Sequence, residues 1–406
     1  MAEIPPLPRR RRRPTPVILD TDMNEDVDDA GALAVLHALA DRGLAEILGI
    51  TYCTSARWGV PAIKAIDRWY GRPDIPVGAF GRPGFLDEHA DLSYIRFLAE
   101  AYGPGEDSAV PGGPEPAAAP ARAEAAPGNS PEAAAAIVQA ATAPGNNSEA
   151  ASAIAQAATA PEAAPEAVGL LRRLLAGRGR ADAVLVGIGP MPNLAALLDS
   201  GPDAVCPLPG ADLVRRSVRS LVLMCGRIPE GIEYNLRQDP GAARLVLTGW
   251  PTPVVVCDGE LGGSLQAGAR FCREAPRGNP VRTAYLLHAV GLDWACYDQA
   301  AVLAAVTGTR YFRFSAPGRL EVDKEGSGRW TADPSGNHRY LEARFDPAEL
   351  SRLIENLMLA PPRSGPPAPF LPESSDEELL ERRKAALAAH FRSVLDEGLE
   401  ELEGAE

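Results

Sequence analysis

A dense group of acidic side chains near the start of the chain is the strongest chemical signal in the sequence. Six carboxylates fall within the ten positions 20–29, directly after the apolar run 17–19 and before an Ala- and Leu-rich segment. One or two acids at a helix N-terminus are ordinary capping and dipole partners. Several aspartates at one strand end repel each other strongly unless a cation lies among them. The pattern therefore predicts a metal site built from Asp20, Asp22, Asp26, Asp28 and Asp29.

The ligand types indicate which ion and which chemistry. No His or Cys lies within residues 20–29, and oxygen-only ligands select a hard divalent ion, Ca²⁺ or Mg²⁺. Two enzyme classes use such a cluster. One is a phosphohydrolase of the haloacid-dehalogenase type, with Asp-x-Asp after its first strand, which would also need a later Ser/Thr and Lys pair. The other is a metal-dependent nucleoside hydrolase.

The acidic segment resembles the fingerprint of the inosine–uridine nucleoside hydrolase superfamily, Asp-x-Asp followed by Asp-Asp-Ala-x-Ala. The closer likeness is to the divergent branch written Asp-Thr-Asp-x-x-x-Asp-Val-Asp-Asp-Ala. Three further segments follow in the family's order: Gly-Ile-Gly-Pro-Met-Pro-Asn at 187–193, Glu-Tyr-Asn at 233–235, and Asp298 at the start of a predicted helix 298–306. The resemblance covers residues 16–103 and 166–358, and it leaves the phosphohydrolase alternative without an explanation for the Glu-Tyr-Asn segment.

The resemblance implies a role for each matching residue. One Ca²⁺ would be held with the help of the ribose 2′- and 3′-hydroxyls, and a water would attack C1′ to break an N-glycosidic bond. The implied metal ligands are Asp22, Asp29, Asp298 and the backbone carbonyl of Ile188. The implied sugar ligands are Asp28, Glu233 and Asn235, and the catalytic candidates are Asp22 as general base, Asn235 and Tyr297. We expect Asp20 to orient the loop and Asn193 to cap a helix.

The part of the site that would face the base departs from the family pattern. Many purine-active members place a His, the acid for the leaving base, immediately before the last metal aspartate, and this chain has Tyr297 there. Candidates for the base side are Tyr297, Tyr94, His89 and Trp58. An alternative hypothesis is therefore a metal- and ribose-binding protein with little or no turnover that acts through a partner.

Elements that could position these residues alternate along the chain. Apolar runs typical of strands lie at 17–19, 46–53, 75–80, 183–189, 220–226 and 253–257, and segments with helical periodicity lie between them at 29–41, 62–70, 193–199 and 240–247. This alternation predicts an α/β fold of three layers, the nucleoside-hydrolase type, with a mainly parallel sheet flanked by helices. A strand-rich hairpin region is expected at 311–345. Sites in such sheets lie at the carboxyl ends of the strands.

Composition predicts the remaining organisation. An Arg- and Pro-rich arm at 1–15 should be disordered, and the catalytic domain should span 16–358 with a low-complexity Ala- and Pro-rich insertion at 104–165. That insertion contains an imperfect duplication, whose copies end at Pro144 and Pro161. A Pro/Ser linker at 359–374 leads to an acidic amphipathic helix at 375–406, which we expect to pack on the body rather than on a partner.

Charge and apolar patterning exclude several classes of function. The chain has 406 residues, a net charge of −14 and a pI of about 5.0, which argues against nucleic-acid binding. It has no apolar stretch long enough to span a membrane and no secretory signal. Six scattered cysteines without a CxxC pair favour a reducing, cytoplasmic location. The expected partner is a small nucleoside-like molecule, and a homo-oligomer is possible.

Overall fold

The computed structural model describes residues 4–8, 13–24, 26–87, 90–103, 166–363, 375–385 and 388. The predicted insertion at 104–165, most of the linker and the end of the tail lie outside these residues. No helix among the described residues is long and apolar enough to cross a membrane. The strands are β1 Thr15–Thr21, β2 Ala45–Tyr52, β3 Val77–Gly78, β4 Ala183–Gly187, β5 Val218–Met224, β6 Glu230–Ile232, β7 Val254–Cys257, β8 Gln266–Ala267, β9 Trp294–Ala295, β10 Phe312–Phe314, β11 Gly318–Val322, β12 Ser327–Ala332 and β13 His338–Ala343.

Helices alternate with the first strands as the periodicity predicts, and a single 3₁₀ turn at Gly308–Arg310 follows the twelfth helix. The helices are α1 Asp28–Asp41, α2 Gly59–Trp69, α3 Tyr94–Tyr102, α4 Ala167–Ala176, α5 Pro192–Asp199, α6 Gly210–Ser217, α7 Tyr234–Gln238, α8 Pro240–Gly249, α9 Gly259–Ser264, α10 Ala269–Glu274, α11 Pro280–Ala289, α12 Tyr297–Thr307 and α13 Pro347–Met358.

One large sheet carries the fold. Its strand order is β3-β2-β1-β4-β5-β7-β13-β11-β12-β6, with β10 beside β13. All neighbours from β3 to β13 in this order are parallel, and the strands beyond β13 pair antiparallel. The prediction of a mainly parallel sheet with a strand-rich region near the C-terminus is confirmed.

Alternating side chains of the central strands pack into two separate cores. In β1, Val17 and Leu19 belong to one apolar cluster, while Ile18 belongs to the other. In β4, Val186 and Leu185 divide in the same way. Because successive strand residues point to opposite faces, each face of the sheet is covered by its own layer of helices. The structure therefore has the three layers that the sequence predicts.

The strand order places the end of β1 at a position suited to ligand binding. β1 has β2 on one side and β4 on the other. The strands that follow β1 are therefore added first on one side of it and then on the other. In open parallel sheets such a switch opens a crevice at the carboxyl ends of the strands. Asp20 accepts a backbone hydrogen bond from the N–H of Ile188 at 2.8 Å. The ends of the acidic segment and of the β4 segment are thereby fixed side by side.

The packing of α1 against α12 brings the acidic first turns of these two helices together. A Cβ added at Gly31 would lie 2.4 Å from Nε2 of Gln299, so glycine leaves room for the Gln299 side chain between the two helices. Asp28 and Asp29 occupy the first turn of α1, and Asp298 occupies the first turn of α12. The helix contact thus brings acids that are 270 positions apart in the chain to one place.

Short pieces of both terminal regions also contact the body. Residues 4–8 belong to the arm predicted as disordered, and Ile4 and Leu7 pack against the larger core. In the tail, residues 376–385 are helical. Leu379 is buried in the core, and Asp376 receives two hydrogen bonds from Arg282 at 2.9 and 2.6 Å.

The packing of the tail leads to a stability prediction. Leu379→Ala should lower the free energy of unfolding by roughly 2–5 kcal/mol, because it removes a buried side chain and leaves a cavity. The matched control is Arg382→Ala, which changes an exposed residue of the same helix and should change stability by less than about 0.5 kcal/mol. Urea unfolding followed by circular dichroism measures both. Equal stabilities of the two variants would show that the tail does not pack on the body in solution.

Candidate active site

A cavity of about 310 Å³ opens at the carboxyl ends of the central strands. This size is at the lower end of the roughly 300–1,000 Å³ typical of small-molecule sites. All eight residues to which the family resemblance gives a role in binding or catalysis line it, and they come from four separate segments of the chain. They are Asp22, Asp28, Asp29, Ile188, Glu233, Asn235, Tyr297 and Asp298. Asp26 of the predicted acidic cluster lines it as well, and the structure adds Arg227 and Trp294, among other residues.

Hydrogen bonds from within the acidic loop and from Asp298 hold its aspartates. The hydroxyl of Thr21 donates to Oδ1 of Asp29, and the backbone N–H of Asp298 donates to Oδ2 of Asp28 at 3.2 Å. Oδ1 of Asp28 is buried and has no hydrogen-bond partner within the described part of the chain. A buried carboxylate oxygen without a donor is costly, and a cation or a ligand hydroxyl would satisfy it.

Burial and mutual repulsion act together on the carboxylates of this cavity. Asp22, Asp28, Asp29 and Asp298 are at most 8 % exposed. Loss of solvation raises the pKa of each of these four carboxyls well above its usual range, and the charges of neighbouring aspartates raise the same pKa values further. Such groups are expensive to ionise together without a compensating positive charge.

The donor set fits a hard divalent cation. Carboxylate oxygens of Asp26, Asp28 and Asp29 lie within 4.8 Å of one another, and no softer ligand is needed. This tightest group differs from the predicted ligands, because it contains Asp26 and Asp28 where the prediction has Asp22 and Asp298. All five aspartates nevertheless face the same cavity, together with Ile188. The ligand assignment within this set remains a prediction.

Asp20 lies behind the cavity, where it supports the loop. Its Oδ1 accepts hydrogen bonds from the Thr51 hydroxyl at 2.5 Å and from Nδ2 of Asn193 at 2.8 Å. Burial raises the Asp20 pKa to about 7, although both hydrogen bonds oppose this shift. The prediction that Asn193 caps a helix is wrong. Met191 occupies the N-cap of α5, and the Asn193 side chain also donates to the carbonyl of Tyr52 at 3.1 Å.

Glu233 and Asn235 form a second wall of the cavity. Glu233 is the N-cap of α7 and accepts backbone hydrogen bonds from Asn235 at 2.9 Å, from Leu236 at 3.1 Å and from Gly226 at 3.0 Å. Burial raises the Glu233 pKa, whereas these backbone donors oppose that increase. Nδ2 of Asn235 donates to the carbonyl of Ile188 at 3.3 Å. The predicted sugar ligand Asn235 is therefore hydrogen-bonded to the Ile188 carbonyl, the predicted metal ligand.

Of the described residues that were candidates for contacting the base, Tyr297 alone lines the cavity. Tyr297 lines the cavity beside Trp294, and burial raises the Tyr297 pKa, so its phenol stays protonated. Tyr94 is buried, and its hydroxyl donates to the carbonyl of Asp26 at 2.9 Å. Trp58 instead donates to Asp91 at 2.6 Å, and neither Tyr94 nor Trp58 is part of the lining. His89 lies outside the described residues.

Comparison with known proteins agrees with this geometry. The sequence model of the family "Inosine-uridine preferring nucleoside hydrolase" matches residues 17–345, which contain every residue of the cavity discussed above. The chain belongs to this family. Members hydrolyse N-glycosidic bonds, and the phosphohydrolase alternative is thereby set aside. A comparison with curated proteins gives no match.

Solved structures of nucleoside hydrolases share the fold at low sequence identity. The inosine–uridine preferring enzyme of Bacillus anthracis is 13% identical, with a TM-score of 0.55, covering 85% of this chain and 99% of its own. The purine-preferring ribonucleoside hydrolase of Gardnerella vaginalis is 19% identical, with a TM-score of 0.54 and coverages of 84% and 98%. The type III effector protein XopQ, solved in complex with adenosine diphosphate ribose, is 15% identical, with a TM-score of 0.53 and coverages of 87% and 95%. At these identities the likeness shows the fold alone.

Arg227 and Trp294 are two polar or aromatic lining residues of this nucleoside hydrolase that its sequence did not predict. Arg227 follows the end of β5 by three positions, and Trp294 precedes Tyr297 by three. The position of Arg227 beyond a parallel strand was a usable signal, because ligand sites gather there. Trp294 had no such signal, since β9 belongs to a separate two-stranded sheet.

Gly189 provides a direct test of how the Asp22 carboxylate is positioned. A Cβ at this position would lie 2.7 Å from Cγ of Asp22, so Gly189→Ala should displace that side chain. We expect riboside hydrolysis to fall by about 10²-fold, since small misplacements of a reacting group cost about this much. Gly201→Ala is the control, because a Cβ there meets nothing within 4 Å. Steady-state rates and circular dichroism of both variants check the prediction, which fails if both retain full activity.

Proposed function

We propose that the protein is a Ca²⁺-dependent hydrolase that cleaves the N-glycosidic bond of a ribonucleoside, or of a related N-riboside, to ribose and free base. One observation carries the proposal: five aspartates, Ile188 and the Glu233–Asn235 wall converge on one cavity from four segments of the chain. Membership of the nucleoside hydrolase family supports the reaction. The calcium dependence and the substrate are part of the proposal.

The aspartates would hold the cation. We assign Asp22, Asp29, Asp298 and the Ile188 carbonyl as its ligands, with Asp26 and Asp28 as further oxygen donors in the same cavity. Calcium in proteins takes six to eight oxygen ligands, which this set and a ribose diol could supply together. A bound divalent cation supplies Lewis acidity that makes a water easier to deprotonate.

The Asp22 carboxylate would accept the proton of the attacking water. It faces the cavity, and Gly189 leaves it the space that it occupies. Burial and the neighbouring aspartates raise the Asp22 pKa, which strengthens this group as a proton acceptor when it is ionised. The water oxygen would then bond to C1′ as the bond from C1′ to the base nitrogen breaks.

The sugar would be oriented by the two polar walls. Oδ1 of Asp28, which has no protein donor among the described residues, is placed to accept a hydrogen bond from a ribose hydroxyl. Glu233 and Asn235 would bind further hydroxyls from the opposite wall. As positive charge develops on the ribose ring, the carboxylates of the cavity would stabilise it electrostatically.

Tyr297 is the candidate that would protonate or hydrogen-bond the leaving base. Its phenol lines the cavity and stays protonated near neutral pH because burial raises its pKa. No histidine lines this cavity in the described part of the chain. That observation also favours a second candidate function, a metal- and ribose-binding protein with weak or no turnover. The XopQ structure, which holds adenosine diphosphate ribose, motivates including ADP-ribose among the ligands to be tested.

The proposal is tested by incubating the purified protein with purine, pyrimidine and nicotinamide ribosides and with ADP-ribose in the presence of calcium. Free base and reducing sugar are the readouts, and Asp29→Asn is the control. We expect release from at least one riboside, and we expect it to disappear in the variant. Binding of calcium and ribose without any release would reject the hydrolase and support the binding protein.

A further inference from the structure

An arginine, Arg227, lines the cavity. The hydrolysis of a neutral riboside does not require this positive charge. Six carboxylates line the cavity, and Arg227 is the only cationic side chain among the described lining residues. Placing an arginine in contact with a ligand cavity is typical of sites that recognise phosphate or carboxylate groups, because its planar fork donates two parallel hydrogen bonds.

Two glycines lie beside the side chain of Arg227. Gly231 has a φ of +152°, and a Cβ there would lie 3.1 Å from Cδ of Arg227. On the other side, a Cβ at Gly259 would lie 3.8 Å from Cγ of the same arginine. The aliphatic part of Arg227 therefore lies between two glycines, and of the two only Gly231 would bring an added Cβ into tight contact with it.

Hydrogen bonds fix the head of the Arg227 side chain. Nε of Arg227 donates to the carbonyl of Ile232 at 3.2 Å, and Nη1 donates to Glu260. The Arg227 side chain is 46% exposed and that of its partner Glu260 is 62% exposed, so an incoming anion can reach the remaining donors without displacing buried groups. An exposed ion pair of this kind contributes little to stability.

We infer that Arg227 binds an anionic phosphate group on the substrate, so that the preferred substrate is an N-riboside that carries a 5′-phosphate. This inference rests on the proposed function, in which the aspartate cluster binds the 2′,3′-diol. A phosphate that leaves this diol free can only be attached through the 5′ oxygen. Arg227 follows Gly226, whose N–H donates to the Glu233 carboxylate at 3.0 Å. The phosphate would thus be bound beside the Glu233 wall of the cavity.

The test compares a nucleoside with its 5′-monophosphate and 5′-diphosphate as substrates, and ribose with ribose 5-phosphate as ligands in calorimetry, all in calcium. In the wild-type protein, kcat/KM and affinity should each be about tenfold or more higher for the phosphorylated member, as expected for a hydrogen bond between charged groups. Arg227→Gln should bring both ratios close to one, and Arg227→Lys should retain part of the preference because it keeps the charge but loses the fork.

The matched control is Arg329→Gln, because Arg329 forms an exposed ion pair with Glu230 on a neighbouring strand and does not line the cavity. It should leave both ratios unchanged. Equal ratios for phosphorylated and unphosphorylated members in the wild-type protein, or a preference that survives Arg227→Gln, would overturn the inference. Failure of the proposed function looks different. In that case no riboside is hydrolysed, while calorimetry still shows whether ribose 5-phosphate binds through Arg227.

Discussion

Asp22→Asn is expected to reduce riboside hydrolysis by about 10²–10⁴-fold, the range typical of removing a general base. Asparagine has nearly the same shape as aspartate, so the contact with Gly189 can be kept. It cannot accept the proton of the attacking water, however, and it is a weaker oxygen ligand for a cation. Initial rates of base release at saturating calcium measure the loss of activity.

Asp239→Asn is the matched control for this substitution. Asp239 caps α8 by accepting a hydrogen bond from the N–H of Ala242 at 2.8 Å, and it does not line the cavity. Since asparagine is an equally good N-cap, activity and stability should both persist. An Asp22→Asn protein that is folded and hydrolyses ribosides at the wild-type rate would refute the assignment of the base.

Removal of calcium should abolish activity and make stability strongly dependent on pH. In the metal-free protein, burial and mutual repulsion raise the pKa values of Asp22, Asp28, Asp29 and Asp298. Above the ordinary aspartate value of about 4, the unfolded chain releases protons that the folded protein retains. The free energy of unfolding must therefore fall as pH rises from about 4 to the raised pKa values of the folded protein. For Asp20 this upper limit is a pKa of about 7.

Calcium should reverse this trend, because it binds the ionised carboxylates of the folded state alone. The Tm of the chelated protein is expected to fall between pH 5 and 7.5, and the increase in Tm on adding calcium should be larger at pH 7.5 than at pH 5. Thermal unfolding at both pH values, with magnesium as the control ion, measures this. A chelated protein that is more stable at pH 7.5 than at pH 5 would contradict the described electrostatics.

The sequence was most informative where chemistry and fold impose the same local pattern. The run of aspartates after β1 predicted both a strand end and a cation site, and the structure places Asp22, Asp28 and Asp29 around one cavity. The Glu-Tyr-Asn segment and Asp298 could be placed only through the resemblance to a family. Alone, Asp298 fits an ordinary helix cap, yet the N-cap of α12 is Cys296.

Predictions failed where a side chain bonds to a distant part of the chain. Asn193 stands at a helix start, where a cap is the common local role, but its amide reaches Asp20 and Tyr52 across the sheet. Tyr94 was a reasonable aromatic candidate for the base side, but its hydroxyl is used by the carbonyl of Asp26. Such partners depend on strand order, which local periodicity does not encode.

The most direct test of the account measures calcium occupancy and riboside hydrolysis on the same samples. Calcium binding is followed by calorimetry while the rate of base release is recorded over the same range of free calcium, for wild type and Asp29→Asn. We expect one calcium per chain, coincident binding and activity curves, and loss of both in the variant. Full hydrolysis in the presence of a chelator, or an Asp29→Asn protein that binds calcium and hydrolyses ribosides as the wild type does, would contradict it.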